Sequence, residues 1–170
     1  YILTNQSSNP NWVLIMMPGG AGNLDPYVND GKLYFNFAGN FLIRSRHLFC
    51  DSNFATASTN STNSLERMEV IVKDINNRFP KAKVCLVGTS SSTLSTITLS
   101  QPLDGKIDCF IHTASLNSIA RLDTRPYKSR HLLVHHQNDQ CRLTTYASAE
   151  HNHQRYKTPL ITMNGGTTTG

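Results

Sequence analysis

The chain has 170 residues, 38% of them hydrophobic and 16% charged, and carries a formal net charge of +5. That is enough for one domain, residues 1–170, with a core of its own. No apolar run approaches the roughly 20 residues of a membrane-spanning helix, and the lysines and arginines are too scattered for a nucleic-acid face. The chain begins at Tyr1 with neither a methionine nor a signal-peptide pattern. It reads as a trimmed, soluble chain, either cytoplasmic or exported after removal of an N-terminal segment. Cys50, Cys85, Cys109 and Cys141 include no Cys-x-x-Cys pair, so zinc and thioredoxin-like chemistry lack support. Cys85 and Cys109 sit inside apolar runs and read as small buried hydrophobes; one bridge among the four cysteines is left open.

Tyr1-Ile2-Leu3-Thr4 is a weak strand signal. Trp12 to Met17 reads as a buried strand, stopped by Pro18-Gly19-Gly20-Ala21-Gly22, and Pro26 and Gly31 keep the next segment irregular. Phe41–Ile43 and His47–Cys50 give shorter strand candidates, and Asp51 to Ser64, rich in Ser, Thr and Asn, reads as a loop. Ser64 is placed to cap a helix over Leu65–Phe79. Leu65, Met68, Ile71, Val72, Ile75 and Phe79 recur there at helical spacing, and Pro80 ends the run. A buried strand over Lys83–Val87, a helix over Ser91–Ser100 and a strand over Ile107–His112 follow. Arg121–Arg130 is irregular, His131–His136 is a strand, Thr144–Tyr156 a helix and Leu160–Met163 a final strand. Strands that alternate with helices, several of them continuously apolar, predict an α/β fold: a mainly parallel sheet with helices on both faces.

In such a sheet, sites form beyond the carboxyl ends of the strands. Four features are expected there: the Gly19–Gly22 loop, Ser90, His112 and the Gln137-Asn138-Asp139 turn. Gly88-Thr89-Ser90-Ser91-Ser92 is a small-x-Ser-x-small pattern between a strand and a helix, the setting in which a serine hydroxyl stands on a sharp turn as a nucleophile. Ser92 stands where the usual pattern has a second glycine. The glycine loop exposes backbone N–H groups, with Gly20 and Ala21 as candidate donors to an oxyanion and the Ser91 N–H as their partner. It lacks the Gly-Lys-Ser/Thr and Gly-x-Gly-x-x-Gly spacings of phosphate loops. Asp139 could orient a catalytic histidine, or simply form an Asx turn. His112 is placed to line the substrate pocket.

The order of these features resembles the α/β-hydrolase superfamily, from Trp12 to Gly166. The resemblance rests on the strand followed by Pro18-Gly19-Gly20, on Gly88-Thr89-Ser90-Ser91-Ser92, and on the strand followed by Asp139. It implies Ser90 as nucleophile, Asp139 as acid two strands later, and Gly20, Ala21 and Ser91 as oxyanion donors. It also implies a histidine after the last strand. None of the seven histidines, His47, His112, His131, His135, His136, His151 and His153, lies there. The chain is therefore expected to stop just before its catalytic base, and the 170 residues alone to have little activity.

The function expected is a serine hydrolase acting on a small-molecule ester or related acyl substrate through an acyl-enzyme, with no metal and no organic cofactor. Little room for a lid between Ile107 and His131 points to small or soluble acyl substrates. The alternatives are a non-catalytic binding protein of the same fold, which the missing histidine favours, and a phosphate- or nucleotide-binding α/β domain.

Overall fold

The computed structural model describes residues 1–166. Nine strands and four α-helices follow one another: β1 (Ile2–Thr4), β2 (Trp12–Met17), β3 (Pro26–Asn29), β4 (Lys32–Phe35), α1 (Phe41–Arg44), β5 (Phe54–Ser58), α2 (Leu65–Arg78), β6 (Lys83–Ser90), α3 (Thr93–Ser100), β7 (Cys109–Ser115), β8 (Arg130–His136), α4 (Tyr146–Tyr156) and β9 (Leu160–Met163). Seven of the strands form one sheet in the order β1-β5-β2-β6-β7-β8-β9. All its pairs are parallel except β1 with β5. From β2 the chain moves one way to β5, then returns past β2 to β6 and continues outward to β9. The direction reverses between β2 and β6, and the carboxyl ends of those two strands are where an open α/β sheet forms its crevice.

Alternation along each strand divides the core. Val13, Ile15, Met17, Ala55, Ala57, Val84, Leu86 and Phe110 face α2 and α3, meeting Met68, Ile71, Val72 and Ile75 of α2 and Leu99 of α3. Each of the large apolar side chains among them contributes about 1.5–3 kcal/mol when fully buried. Leu133 of β8 meets Ala149 of α4 on the same side. The other face carries Leu14, Met16, Cys85 and Val87, covered by Leu42 of α1. The predicted α/β architecture is therefore the one observed, with α2, α3 and α4 on one face and only the four-residue α1 on the other. No helix among the described residues is long and apolar enough to cross a membrane.

Several local expectations are corrected. Phe41–Ile43 and His47–Cys50 are not strands but α1 and a 3-10 turn over Arg46–Phe49. Asn40 starts α1 by accepting the Leu42 N–H, and the helix buries Leu42 and Ile43. The expected loop from Asp51 to Ser64 contains β5, an inner strand. Its alanines, Ala55 and Ala57, are fully buried against the α2 face, so small side chains rather than large apolar ones mark this strand. The segment after Pro26 is a two-stranded hairpin, β3–β4, turning at Asp30-Gly31 with φ of 50° and 73°. Its base is closed by the Asn36 N–H donating to the Asp25 carbonyl at 3.1 Å. Cys85 and Cys109, directly opposite each other on β6 and β7, form a disulfide rather than two free buried thiols. Cys50 and Cys141 are free.

Candidate functional site

Two turns meet at the carboxyl ends of β2 and β6. Ser90 closes β6 with φ of +52°, a left-handed conformation that is strained for a residue with a side chain. The ladder to β7 shifts register there, so that Ser90 pairs with Ser115 while Thr89 pairs with Thr113. Ala114, the residue skipped, also has a positive φ, of 40°. The strand thus breaks sharply, and α3 begins three residues later. The turn needs small neighbours on two sides. A Cβ on Gly88 would lie 2.8 Å from the Ser92 carbonyl oxygen and 2.8 Å from Thr96 Cγ2. One on Gly19 would lie 2.9 Å from the Thr89 carbonyl oxygen and 3.0 Å from Ser90 Cβ. Gly88 lets the helix close on the strand; Gly19 lets the glycine loop close on the serine.

Side-chain hydroxyls fasten this junction, and the sequence signalled only their presence. Ser92 is fully buried. Its Oγ accepts the Thr89 N–H at 2.7 Å and lies 2.8 Å from the Met17 carbonyl oxygen and 2.9 Å from that of Thr89, to one of which it donates. Thr93 Oγ1 donates to the Ser90 carbonyl at 2.6 Å and accepts the Leu116 N–H at 3.1 Å. Ser91 Oγ donates to the Gly20 carbonyl at 2.7 Å. The loop itself turns on Gly20 and Gly22, with φ of 64° and 74°. The Gly22 N–H donates back to the Gly19 carbonyl, and the Gly22 carbonyl accepts from the Ser61 N–H at 2.7 Å. Two cavities flank it. One, of about 360 Å³, is bounded by Gly19–Gly22, Asn36 and Phe37; the other, of about 300 Å³, by Gly20–Gly22, Ser61, Ser91 and Ser95. A larger cavity of about 920 Å³ lies at the opposite ends of the strands, where Trp12, Lys83, Cys109 and Arg130 begin β2, β6, β7 and β8. Ser90 is not among its lining residues.

Ser90, Ser91, Gly20 and Ala21 are thus brought together. Asp139 follows β8, two strands from β6 in the sheet. Its carboxylate accepts the Cys141 N–H and the Thr144 hydroxyl, each at 2.9 Å, and so forms the Asx turn as well as lying where an acid was expected. His112 is not at the pocket. Strand β7 runs three residues past it to Ser115, and its ring is fully buried beneath α3. His112 Nδ1 lies 2.8 Å from Thr96 Oγ1, and Nε2 lies 3.1 Å from His131 Nδ1. Thr96 Oγ1 donates to the Thr93 carbonyl, so the imidazoles both point their protons toward Thr96: His131 donates to His112, and His112 to Thr96. Burial pushes the His112 pKa down to about 3, helped by its neighbour His131, and burial pushes His131 down to about 4. Both rings are neutral structural groups: His131 stacks on Phe110 and on His112, with Tyr127 tilted against it.

Of the other histidines, His136 accepts the Asn138 N–H at Nδ1 and donates from Nε2 to the Gly165 carbonyl at 2.7 Å, which occupies both nitrogens. His135 is buried edge-on to Tyr146. Among the described residues, Ser90 Oγ has no hydrogen-bond partner, and no group of His, Cys, Asp or Glu is arranged to hold a metal ion.

The architecture is shared with solved α/β serine hydrolases. A serine hydrolase without a lid from Xanthomonas campestris matches with a TM-score of 0.63 at 9% identity, over 94% of this chain and 74% of that one. Est1E from Butyrivibrio proteoclasticus gives 0.60 at 14% identity, over 94% and 81%. A monoacylglycerol lipase from Paleococcus ferrophilus gives 0.53 at 11%, over 92% and 86%. The sequence itself matches no protein-family model and no curated protein. On this likeness of structure, the chain has the α/β-hydrolase fold.

Proposed function

We propose that the protein is a serine hydrolase that cleaves an ester or related acyl substrate through an acyl-enzyme. The observation that carries the reading is Ser90 itself: a residue with a Cβ, held at φ of +52° where a strand turns into a helix, beside a glycine loop that only glycine can bring so close. In the reaction, Ser90 Oγ attacks the acyl carbonyl while a base takes its proton. The base returns that proton to the leaving group, and water then hydrolyses the acyl-enzyme. The oxyanion is held by backbone N–H groups. Gly20 and Ser91 suit this role best. A trans peptide points its carbonyl and N–H in opposite directions, and the Gly20 carbonyl points at Ser91 Oγ, which turns the Ala21 N–H away from Ser91. The base the mechanism calls for is a histidine following β9, oriented by Asp139.

The test is p-nitrophenyl acetate turnover by the full-length protein and its Ser90→Ala variant. Loss of turnover in the variant supports the reading; undiminished turnover removes Ser90 from the mechanism. The second reading, a non-catalytic binding protein, is favoured by one observation: none of the described histidines reaches Ser90. It predicts no turnover and no labelling of Ser90 in the full-length protein. The phosphate-binding reading is disfavoured because the glycine loop leads into the β3–β4 hairpin rather than the N-terminus of a helix.

A further inference from the structure

We infer that Ser92 is a positioning residue which couples the Ser90 turn to the glycine loop, so that the serine replacing the pattern's second glycine serves the reaction; this rests on the hydrolase reading above. The β2–β6 ladder ends with Met17 opposite Gly88. Beyond that pair the strands part, β2 into Pro18-Gly19-Gly20 and β6 into Thr89-Ser90. The Ser92 hydroxyl stands at the parting. It takes the Thr89 N–H from one strand and reaches the Met17 carbonyl of the other, at 2.7 and 2.8 Å. The sheet's own bonding is thereby extended by one side chain, one residue before the nucleophile on one side and two before Gly19 on the other. Ser92 Oγ touches no substrate. It fixes the separation between the atom that attacks and the N–H groups that receive the developing charge.

Glycine at this position would leave the Thr89 N–H and the Met17 carbonyl without this bridge in a site with no solvent exposure. Other glycines already meet the steric needs of the junction: Gly88 admits α3, and Gly19 admits Ser90. The second small residue of the pattern is therefore free to carry a hydroxyl here, and the hydroxyl is used.

The experiment is reaction of the full-length protein with a fluorophosphonate, in which the Ser90 Oγ–P bond forms, the P–F bond breaks, fluoride leaves and the serine proton passes to base or solvent. The rate at saturating probe and the probe's binding constant are measured separately for the parent, Ser92→Ala, Ser92→Gly and Ser100→Ala. Ser100 is a control: its hydroxyl is equally buried and donates to the Thr96 carbonyl at 2.6 Å, at the far end of α3. Ser92→Ala is expected to slow the saturating rate by about 10–100-fold, as sub-ångström to ångström misplacement of reacting groups does, with little change in binding constant. Ser100→Ala is expected to lower the melting temperature yet leave the rate unchanged. Ser92→Gly, whose backbone accepts the same turn, gives the same readout if Ser92→Ala does not fold. A folded Ser92 variant that reacts at the parent's rate overturns the inference, and so does equal slowing by Ser100→Ala. Failure of the parent to label at Ser90 instead overturns the hydrolase reading, and the inference with it.

Discussion

Replacing Ser90 by glycine and, separately, by alanine isolates the backbone strain at the turn. Both changes remove the hydroxyl, which makes no hydrogen bond among the described residues, so that loss cancels between them. They differ in what φ of +52° costs. A residue with a Cβ costs about 1–2 kcal/mol in the left-handed region. Glycine escapes that cost but loses about 0.5–1 kcal/mol more backbone entropy on folding than alanine. At the middle of those two ranges the balance leaves Ser90→Gly more stable than Ser90→Ala by about 0.75 kcal/mol. For a chain of this size each 1 kcal/mol moves the melting temperature by about 2–4 °C, so the glycine variant is expected to melt about 1.5–3 °C higher. Urea unfolding followed by far-ultraviolet circular dichroism gives the free energies, with thermal melts alongside. Asp30, at φ of +50° in the hairpin turn, provides the matched comparison of Asp30→Gly with Asp30→Ala. Equal midpoints for the two Ser90 variants, or a lower one for glycine, would refute the assignment of strain to this residue.

Three further outcomes follow from the packing and the buried rings. Gly88→Ala is expected to destabilise by about 3 kcal/mol, the upper end for overpacking, because one of the two contacts at 2.8 Å is with backbone; a melting temperature within experimental error of the parent's counts against the close strand–helix approach. His112 and His131 have folded pKa values pushed down to about 3 and about 4, below the ordinary 6.5. Between those values the unfolded chain binds more protons than the folded one, so stability is full above about pH 6.5 and falls as acid is added toward pH 4. His131→Phe, which keeps an aromatic ring between Phe110 and Tyr127, should flatten part of that fall in urea midpoints measured from pH 7.5 to 4.5, and an unchanged slope would show that other groups set it. The Cys85–Cys109 disulfide closes a segment of sequence separation 24; its reduction is expected to cost about 3 kcal/mol, read as a drop in the urea midpoint, and a thiol count of four in unfolding conditions without reductant would contradict the bond.

The sequence was legible where periodicity and breakers agree. The stripe of Met68, Ile71, Val72 and Ile75, with Ser64 before it, located α2 to within a residue because burial and capping point to the same helix. Trp12–Met17 and Leu160–Met163 were bounded as observed. Strand β5 was missed because an inner strand covered by a large helix can be lined by Ala55 and Ala57, and its threonine and serine, Thr56 and Ser58, then imitate a loop. His112 was misplaced because the apolar signal fades before the strand ends: β7 continues through Thr113, Ala114 and Ser115, held by its ladder to β6 rather than by hydrophobicity. The order of glycine loop, serine and aspartate was readable from strand ends. The φ of Ser90 and the bonds of Ser92 were not, since a hydroxyl's partners lie 75 residues away in the case of Met17.

The β3–β4 hairpin also bears on how this chain can vary. Its base is clasped twice, by the Asn36 N–H on the Asp25 carbonyl and by Asn36 Nδ2 on the Asp25 carboxylate at 2.6 Å. Beyond the clasp, Tyr27, Val28, Leu33 and Tyr34 are exposed. Extending a segment with tied ends costs only about 0.6 kcal/mol per doubling of length. The stretch between the glycine loop and α1 is thus a socket, able to accept a longer arm or a grafted peptide while the Asp25–Asn36 clasp keeps the change from reaching Ser90.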